Sequence, residues 1–208
     1  MKVTWNVSPV GYQLISKCCP ACHGQQDFTP SGAFRVNSQK KMLDVWSIYQ
    51  CVRCAYTWNI SLFFRLPISK INPQLYERLI ANDKSAVEAY SHDLLVLRRN
   101  RASPSGSPEF MVKERWRISL VRASQVRVEV TVARAFQTSL LSVLRSQLCL
   151  SGSAVRKRLA SGDIGGITLK ALRSPRLRPE GYTLYITREV LLARRRIPLS
   201  AGPDRRRR

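Results

Sequence analysis

The chain has 208 residues, enough for one large domain or two small ones, and its 44% hydrophobic content suffices for a buried core. No apolar run approaches the ~18 residues that span a bilayer. Residues 1–6 lack the apolar stretch of a secretory signal, so the expected setting is the cytoplasm, with no membrane partner. The net charge of +22 is the outlying quantity, and residues 101–208 carry +16 of it, from 23 basic and 7 acidic side chains. A solvated cationic face would raise the charge without a ligand, but segregated charge fits a polyanionic partner, because each neutralised phosphate releases condensed counterions.

Residues 1–70 are rich in aromatic and β-branched side chains. Cys19-Pro20-Ala21-Cys22 is followed, after 28 residues, by Cys51-Val52-Arg53-Cys54. Two residues between cysteines let both sulfurs of a tight turn face one ion, and two such turns supply the four soft ligands of a tetrahedral zinc site. With four sulfurs no position is open for water, so one structural zinc ion is expected. In a reducing cytosol, metal is a better use of these thiols than disulfides. Cys18 is a spare thiol beside the site, His23 a solvent-facing turn residue, and Cys149 a small helical residue. Residues 34–36 and 43–49 read as strands joined by a polar hairpin at 37–41, and residues 56–62 alternate large apolar and small polar side chains like a half-buried strand.

Asn72 before Pro73 predicts a capped helix with Leu75, Leu79 and Ile80 on one face. Asp83 opens another, running through Val87, Tyr90, Leu94 and Leu97 to Asn100, with His92 on its solvated side. Residues 101–108 break all periodicity and read as a linker. Residues 127–132 alternate like a strand with one buried face. Leu140, Leu144 and Leu148 form the stripe of an amphipathic helix. Ser151-Gly152-Ser153 breaks it and caps the next, in which Val155 and Leu159 face the core while Arg156, Lys157 and Arg158 face solvent; Gly162 ends it. Short β segments follow, up to Ile186, and the arginine runs of 194–208 read as a disordered tail.

The first cysteine turn resembles that of zinc ribbons, which reads C-P-x-C before a glycine; here His23 intervenes before Gly24. Residues 138–187 resemble the alpha-L RNA-binding motif named after ribosomal small-subunit protein four, on Leu148-Cys149-Leu150-Ser151-Gly152-Ser153-Ala154-Val155-Arg156, Leu159, Gly162, Ile164, Gly181, Leu184 and Ile186. Gly152 stands where that motif usually has an RNA-contacting arginine, and Gly165-Gly166-Ile167 lacks its turn asparagine. The whole chain resembles an uncharacterised bacterial family, domain of unknown function 1062, on residues 1–5, 12–15, 35–37, 43–46 and 56–59. That family brings no activity with it.

The expected architecture is therefore α+β: a small antiparallel zinc-ribbon sheet over 1–70, a helical connector over 71–100, a linker over 101–115, a basic alpha-L-like helix-turn-helix with short β segments over 116–193, and the tail at 194–208. Only His23 and His92 could serve as histidine bases, and no G-x-S-x-G, Walker or dinucleotide glycine motif occurs, so no enzyme is expected. The expected function is binding of structured RNA, ribosomal or transfer, with contacts from Ser151, Ser153, Arg156, Lys157 and Arg158. The alternatives are a DNA-binding transcription-related protein and an adaptor presenting Trp46 and Trp58 to a protein partner.

Overall fold

The computed structural model describes residues 1–117, 124–132 and 136–193; the arginine tail expected at 194–208 lies outside the described residues. The chain divides into two compact units. One, the cysteine unit, comprises residues 8–111 with 136–138. The other, the basic unit, comprises residues 1–7 with the described parts of 112–133 and 139–208.

The first strand, β1 (Lys2–Pro9), belongs by its pairing to the basic unit. The cysteine unit begins with β2 (Ile15–Cys19), β3 (Gly24–Gln39), β4 (Met42–Cys51) and β5 (Thr57–Pro67), an antiparallel meander. The expected hairpin at residues 37–41 is present, tightened to Lys40 and Lys41, both in left-handed backbone at φ +50° and +60°. That pairing of left-handed residues matches the twist of the flanking strands. Breaks in register between Pro30 and Phe34 and between Leu43 and Trp46 bend the sheet.

Three helices, α1 (Pro73–Ile80), α2 (Lys84–Ser91) and α3 (Leu94–Arg99), follow. They carry Leu79, Val87, Val96 and Leu97 into one core with Ile15, Phe28, Leu43, Tyr49 and Ile60 of the sheet. Ile80, expected on the buried face of α1, is 53% exposed. The helix expected from 84 to 100 is broken in two, because the Asp93 carboxylate accepts from the N–H groups of Leu95 and Val96 and starts α3 afresh. The expected linker contributes β6 (Ser103–Pro104), paired with β2. Asn100 closes the other edge of the sheet: its side-chain amide donates to Ser61 O at 2.9 Å and accepts from Ser61 N–H at 2.8 Å, as a neighbouring strand would.

Asp83 caps α2, accepting from Ala86 N–H at 2.9 Å, and pairs with Arg78 at 2.8 Å. Hydrogen bonds from Ser85, Arg78 and the Ala86 backbone hold its carboxyl down at about 2. A depressed carboxylate stabilises the fold above its ordinary value of 3.8 and loses that contribution as pH falls through about 2. Asp83→Asn keeps the cap and removes the titration. The difference in melting temperature between the two proteins should therefore shrink as pH falls over that window, and a constant difference would refute the assignment.

The basic unit is built on β7 (Phe110–Arg117), β8 (Gln125–Val132), β9 (Ile164–Gly165) and β10 (Tyr182–Thr187), in the order β7-β1-β8-β10-β9. β1 runs parallel to β8, with Lys2 opposite Arg127, and β10 is antiparallel to β8 and β9. One face of this mixed sheet buries Val3, Trp5, Val7, Val128, Leu184 and Ile186. The helices α4 (Leu140–Leu148), α5 (Gly152–Ala160), α6 (Leu169–Arg173) and α7 (Arg188–Ala193) add Leu140, Leu144, Val155, Leu172 and Leu191 to the core. The ordinary period-2 and period-3.6 stripes thus meet. No helix among the described residues is long and apolar enough to cross a membrane.

These observations overturn the expected architecture of a small zinc ribbon, a helical connector and a helical alpha-L-like module. The described residues form two five-stranded sheets. The supposed connector helices are core elements of the first, and the helix pair at 140–160 packs with a sheet in which β1 and β8 are central. The physical reason is a pairing of residues 2–7 with 127–132, across more than a hundred residues, which local periodicity does not encode.

Candidate metal centre and basic helical face

Each cysteine pair stands where a strand ends in a tight turn. Cys19 closes β2 and Cys22 lies in the turn to β3; Cys51 closes β4 and Cys54 lies in the turn to β5. In the second turn Cys51 N–H donates to Tyr56 O, Ala55 N–H to Cys51 O, and Val52 N–H to Asp27 O on β3, each at 2.9 Å. The residue after each second cysteine adopts left-handed backbone, His23 at φ +55° and Ala55 at φ +59°. His23 thus occupies the conformation that glycine takes more easily, and the two turns are alike. An alanine held there is strained by about 1 kcal/mol or more. Ala55→Gly should therefore stabilise the cysteine unit by about 0.5–1 kcal/mol after the entropy cost of glycine, read as a higher urea midpoint.

The two turns bring the sulfurs of Cys19, Cys22, Cys51 and Cys54 within 4.8 Å of one another. Cys19 Sγ and Cys54 Sγ are 3.5 Å apart, Cys22 Sγ and Cys51 Sγ 3.9 Å. Sulfurs around a tetrahedral ion at about 2.3 Å stand about 3.8 Å apart, so these four could close on one metal ion with little movement. Cys19 and Cys51 are buried, Cys22 is half-buried and Cys54 exposed.

The thiols do not ionise independently. Burial works against a thiolate at Cys51, but N–H groups of Cys54 and Arg53 and the thiols of Cys54 and Cys19 point at it and bring it down to about 7. Cys22 is pushed up to about 12, first by the Cys54 thiol and then by burial. Cys54 is also raised: the Tyr56 backbone and Cys22 favour its thiolate, but burial and the thiols of Cys19 and Cys51 outweigh them. Cys51 thus gives up its proton readily while Cys22 and Cys54 hold theirs, as expected where negative charges would crowd together; a divalent cation is what allows such a cluster to ionise.

Cys18 alternates to the opposite side of β2 from Cys19 and is exposed. Cys18→Ser should leave metal content by elemental analysis and melting temperature unchanged. Cys149 is not a helical residue: it is the C-cap of α4, in left-handed backbone at φ +53°. His92 also departs from expectation. It is fully buried at the end of α2, with Nε2–H donating to Gly11 O at 3.0 Å and its ring edge-on to Phe136 at 6.1 Å.

On α5, Ser151 is the N-cap: its Oγ accepts from Ala154 N–H at 3.1 Å and bonds Ser153 Oγ at 2.9 Å, so capping engages both hydroxyls. Arg156, Lys157 and Arg158 are exposed as expected. They are not equivalent, since Arg158 pairs with Asp163 at 2.8 Å, an acid also bound by Ser161 Oγ. Arg156 instead borders a groove of about 560 Å³ that it shares with Arg173 of α6. Sequence reasoning misses Arg173, although Thr168, the α6 N-cap, precedes the signature Leu169-Lys170-Ala171-Leu172-Arg173 of a short basic helix. Between residues 145 and 178 the chain carries eight basic side chains against one acidic.

No curated protein and no solved structure matches the chain. One family model does, described as protein of unknown function (DUF1062), over residues 36–169. The span holds Cys51 and Cys54, the three core helices of the cysteine unit, and the α4–α5 pair; Cys19 and Cys22 precede it. With more than half of its length matched, the chain belongs to the DUF1062 family.

Proposed function

We propose that this is a non-enzymatic, zinc-containing RNA-binding protein of the reducing cytoplasm. Zinc is the ion that best suits four thiolates at tetrahedral spacing, and a sphere closed by sulfur assigns it a structural role. The observation that carries RNA binding is the charge on the basic unit: eight cations to one acid over residues 145–178, with Arg156, Lys157 and Arg173 exposed on α5 and α6. A surface of that kind draws a polyanion at physiological salt. Binding rather than catalysis is favoured because His92 is enclosed and hydrogen-bonded to backbone, and His23 stands in a cysteine turn.

The test compares charge-matched variants. Replacing Arg156, Lys157 and Arg158 by Gln removes three charges while Val155 and Leu159 stay in place, and Gln is a comparable helix former. Affinity for transfer RNA, measured by filter binding, should fall well beyond the loss from Gln at Arg98, Arg99 and Arg101. The slope of log affinity against log salt should shrink by roughly one unit for each phosphate no longer neutralised. Equal losses at the two places would reduce the effect to general basicity, and preference for duplex DNA at matched salt would replace the RNA reading.

A further inference from the structure

Gly152 is the first residue of α5, and its backbone is not in the left-handed conformation that favours glycine. A Cβ there would meet only side chains, Arg156 Nη1 at 3.5 Å, Arg145 Cδ at 3.8 Å and Leu141 Cδ2 at 3.8 Å, all ordinary contact distances. Neither a special φ nor a close backbone thus accounts for a glycine at a helical position, where it weakens the helix relative to alanine. What the missing side chain leaves is a gap bordered by two arginines from two different helices, with Leu141 as its apolar wall.

The two guanidinium groups converge for local reasons. Arg145 stands in the last turn of α4, and the left-handed Cys149 that ends α4 starts α5 beside that turn. Arg156 lies one turn beyond Gly152 on the same face of α5, and a helical side chain leans towards the N-terminus, so Arg156 reaches back over Gly152. Asp163, the single acid between residues 145 and 178, is taken by Arg158 and Ser161. Among the described residues, neither Arg145 nor Arg156 takes part in an ion pair. Two cations gathered at one point without an acid repel each other, and an anion between them turns repulsion into attraction. A phosphate group has oxygens enough to accept from two guanidinium forks at once, and half-buried Leu141 keeps water from one side.

We propose that Arg145 of α4, Arg156 of α5 and the gap at Gly152 form a seat for one RNA phosphate. This rests on the reading of the basic unit as RNA-binding, and it deepens that reading in two ways. Arg145, which lies outside α5, joins the contact set, and Arg156 acts with it as a pair rather than as one of three equal cations on α5.

The experiment uses the full chain and transfer RNA, with filter binding over a series of salt concentrations. The variants are Arg145→Gln, Arg156→Gln, the two together, and Lys170→Gln as a charge-matched control on an exposed residue of α6. Either change at the seat should weaken binding by about tenfold and lower the slope of log affinity against log salt by about one. The double variant should lose little more than either single one, because every version releases the same phosphate. Lys170→Gln should cost clearly less. Gly152→Leu removes no charge but fills the gap, so it should also weaken binding, whereas general basicity predicts no change. Melting temperatures report whether each variant is folded, and the two Gln changes, at exposed residues, keep the test open should leucine disturb α5. If the losses at residues 145, 156 and 170 are equal and additive, and Gly152→Leu binds like the parent, the seat falls and the RNA reading stands. If the parent binds no RNA, the RNA reading itself falls. If millimolar inorganic phosphate raises the melting temperature of the parent but not of Arg145→Gln, while both bind RNA alike, the seat holds free phosphate and the RNA assignment is overturned.

Discussion

Purified protein should contain about one zinc per chain, and Cys22→Ser should abolish that content and lower the melting temperature by more than about 10 °C. Cys22 is the informative position because it lies in a turn, half-buried, where serine is tolerated sterically; what serine cannot do is supply a thiolate. The two turns that hold the sulfurs join β2 to β3 and β4 to β5, so the site ties together four strands of one sheet. Metal free energy at such a site is folding free energy, and a chelator should act on the parent protein as the mutation does. Cobalt substitution should give the ligand-field spectrum of tetrahedral sulfur, and a red as-purified protein would identify iron in place of zinc. Full stability of Cys22→Ser, with or without chelator, would remove the structural role, because no other group among those described near the sulfurs offers a fourth ligand.

How much of this was written in the sequence depends on the range of the interaction. Asn72, Asp83 and Ser151 act on backbone N–H groups three residues away, and all three caps stand where the sequence places them. The cysteine spacing carries its own geometry, since a C-x-x-C turn fixes two sulfurs locally and the intervening hairpin only has to return the chain. Several failures involve distant partners. β1 reads as the start of the cysteine-bearing region, yet its Val3, Trp5 and Val7 are buried in a sheet with β8 and β10. His92 reads as solvated because its helix neighbours are polar; Gly11 and Phe136, which enclose it, are far away in sequence. Arg158 reads as one of three equal cations, and only the fold of the Ser161–Asp163 turn reveals that it is spoken for. Alternating apolar residues say that a strand has a buried face, not which strand will lie beside it.

Gly181→Ala should destabilise the basic unit by about 3 kcal/mol or more, well above the cost of a left-handed alanine alone. Gly181 stands at φ +78° immediately before β10, where the chain passes so close to β8 that a Cβ would collide with the backbone oxygen of Val130. A backbone carbonyl in a central strand cannot swing aside as a side chain can, so the collision must be relieved by separating β10 from β8 at Tyr182 and Val130, the first pair of their ladder. Gly162→Ala supplies the control within the same unit. It has a nearly equal backbone angle, φ +82°, but a Cβ there meets nothing within 4 Å, so it should cost only about 1 kcal/mol. The difference between the two urea midpoints isolates the close approach from the strain. Equal destabilisation by the two alanines would mean that β8 and β10 do not meet as closely as the pairing of Tyr182 with Val130 requires.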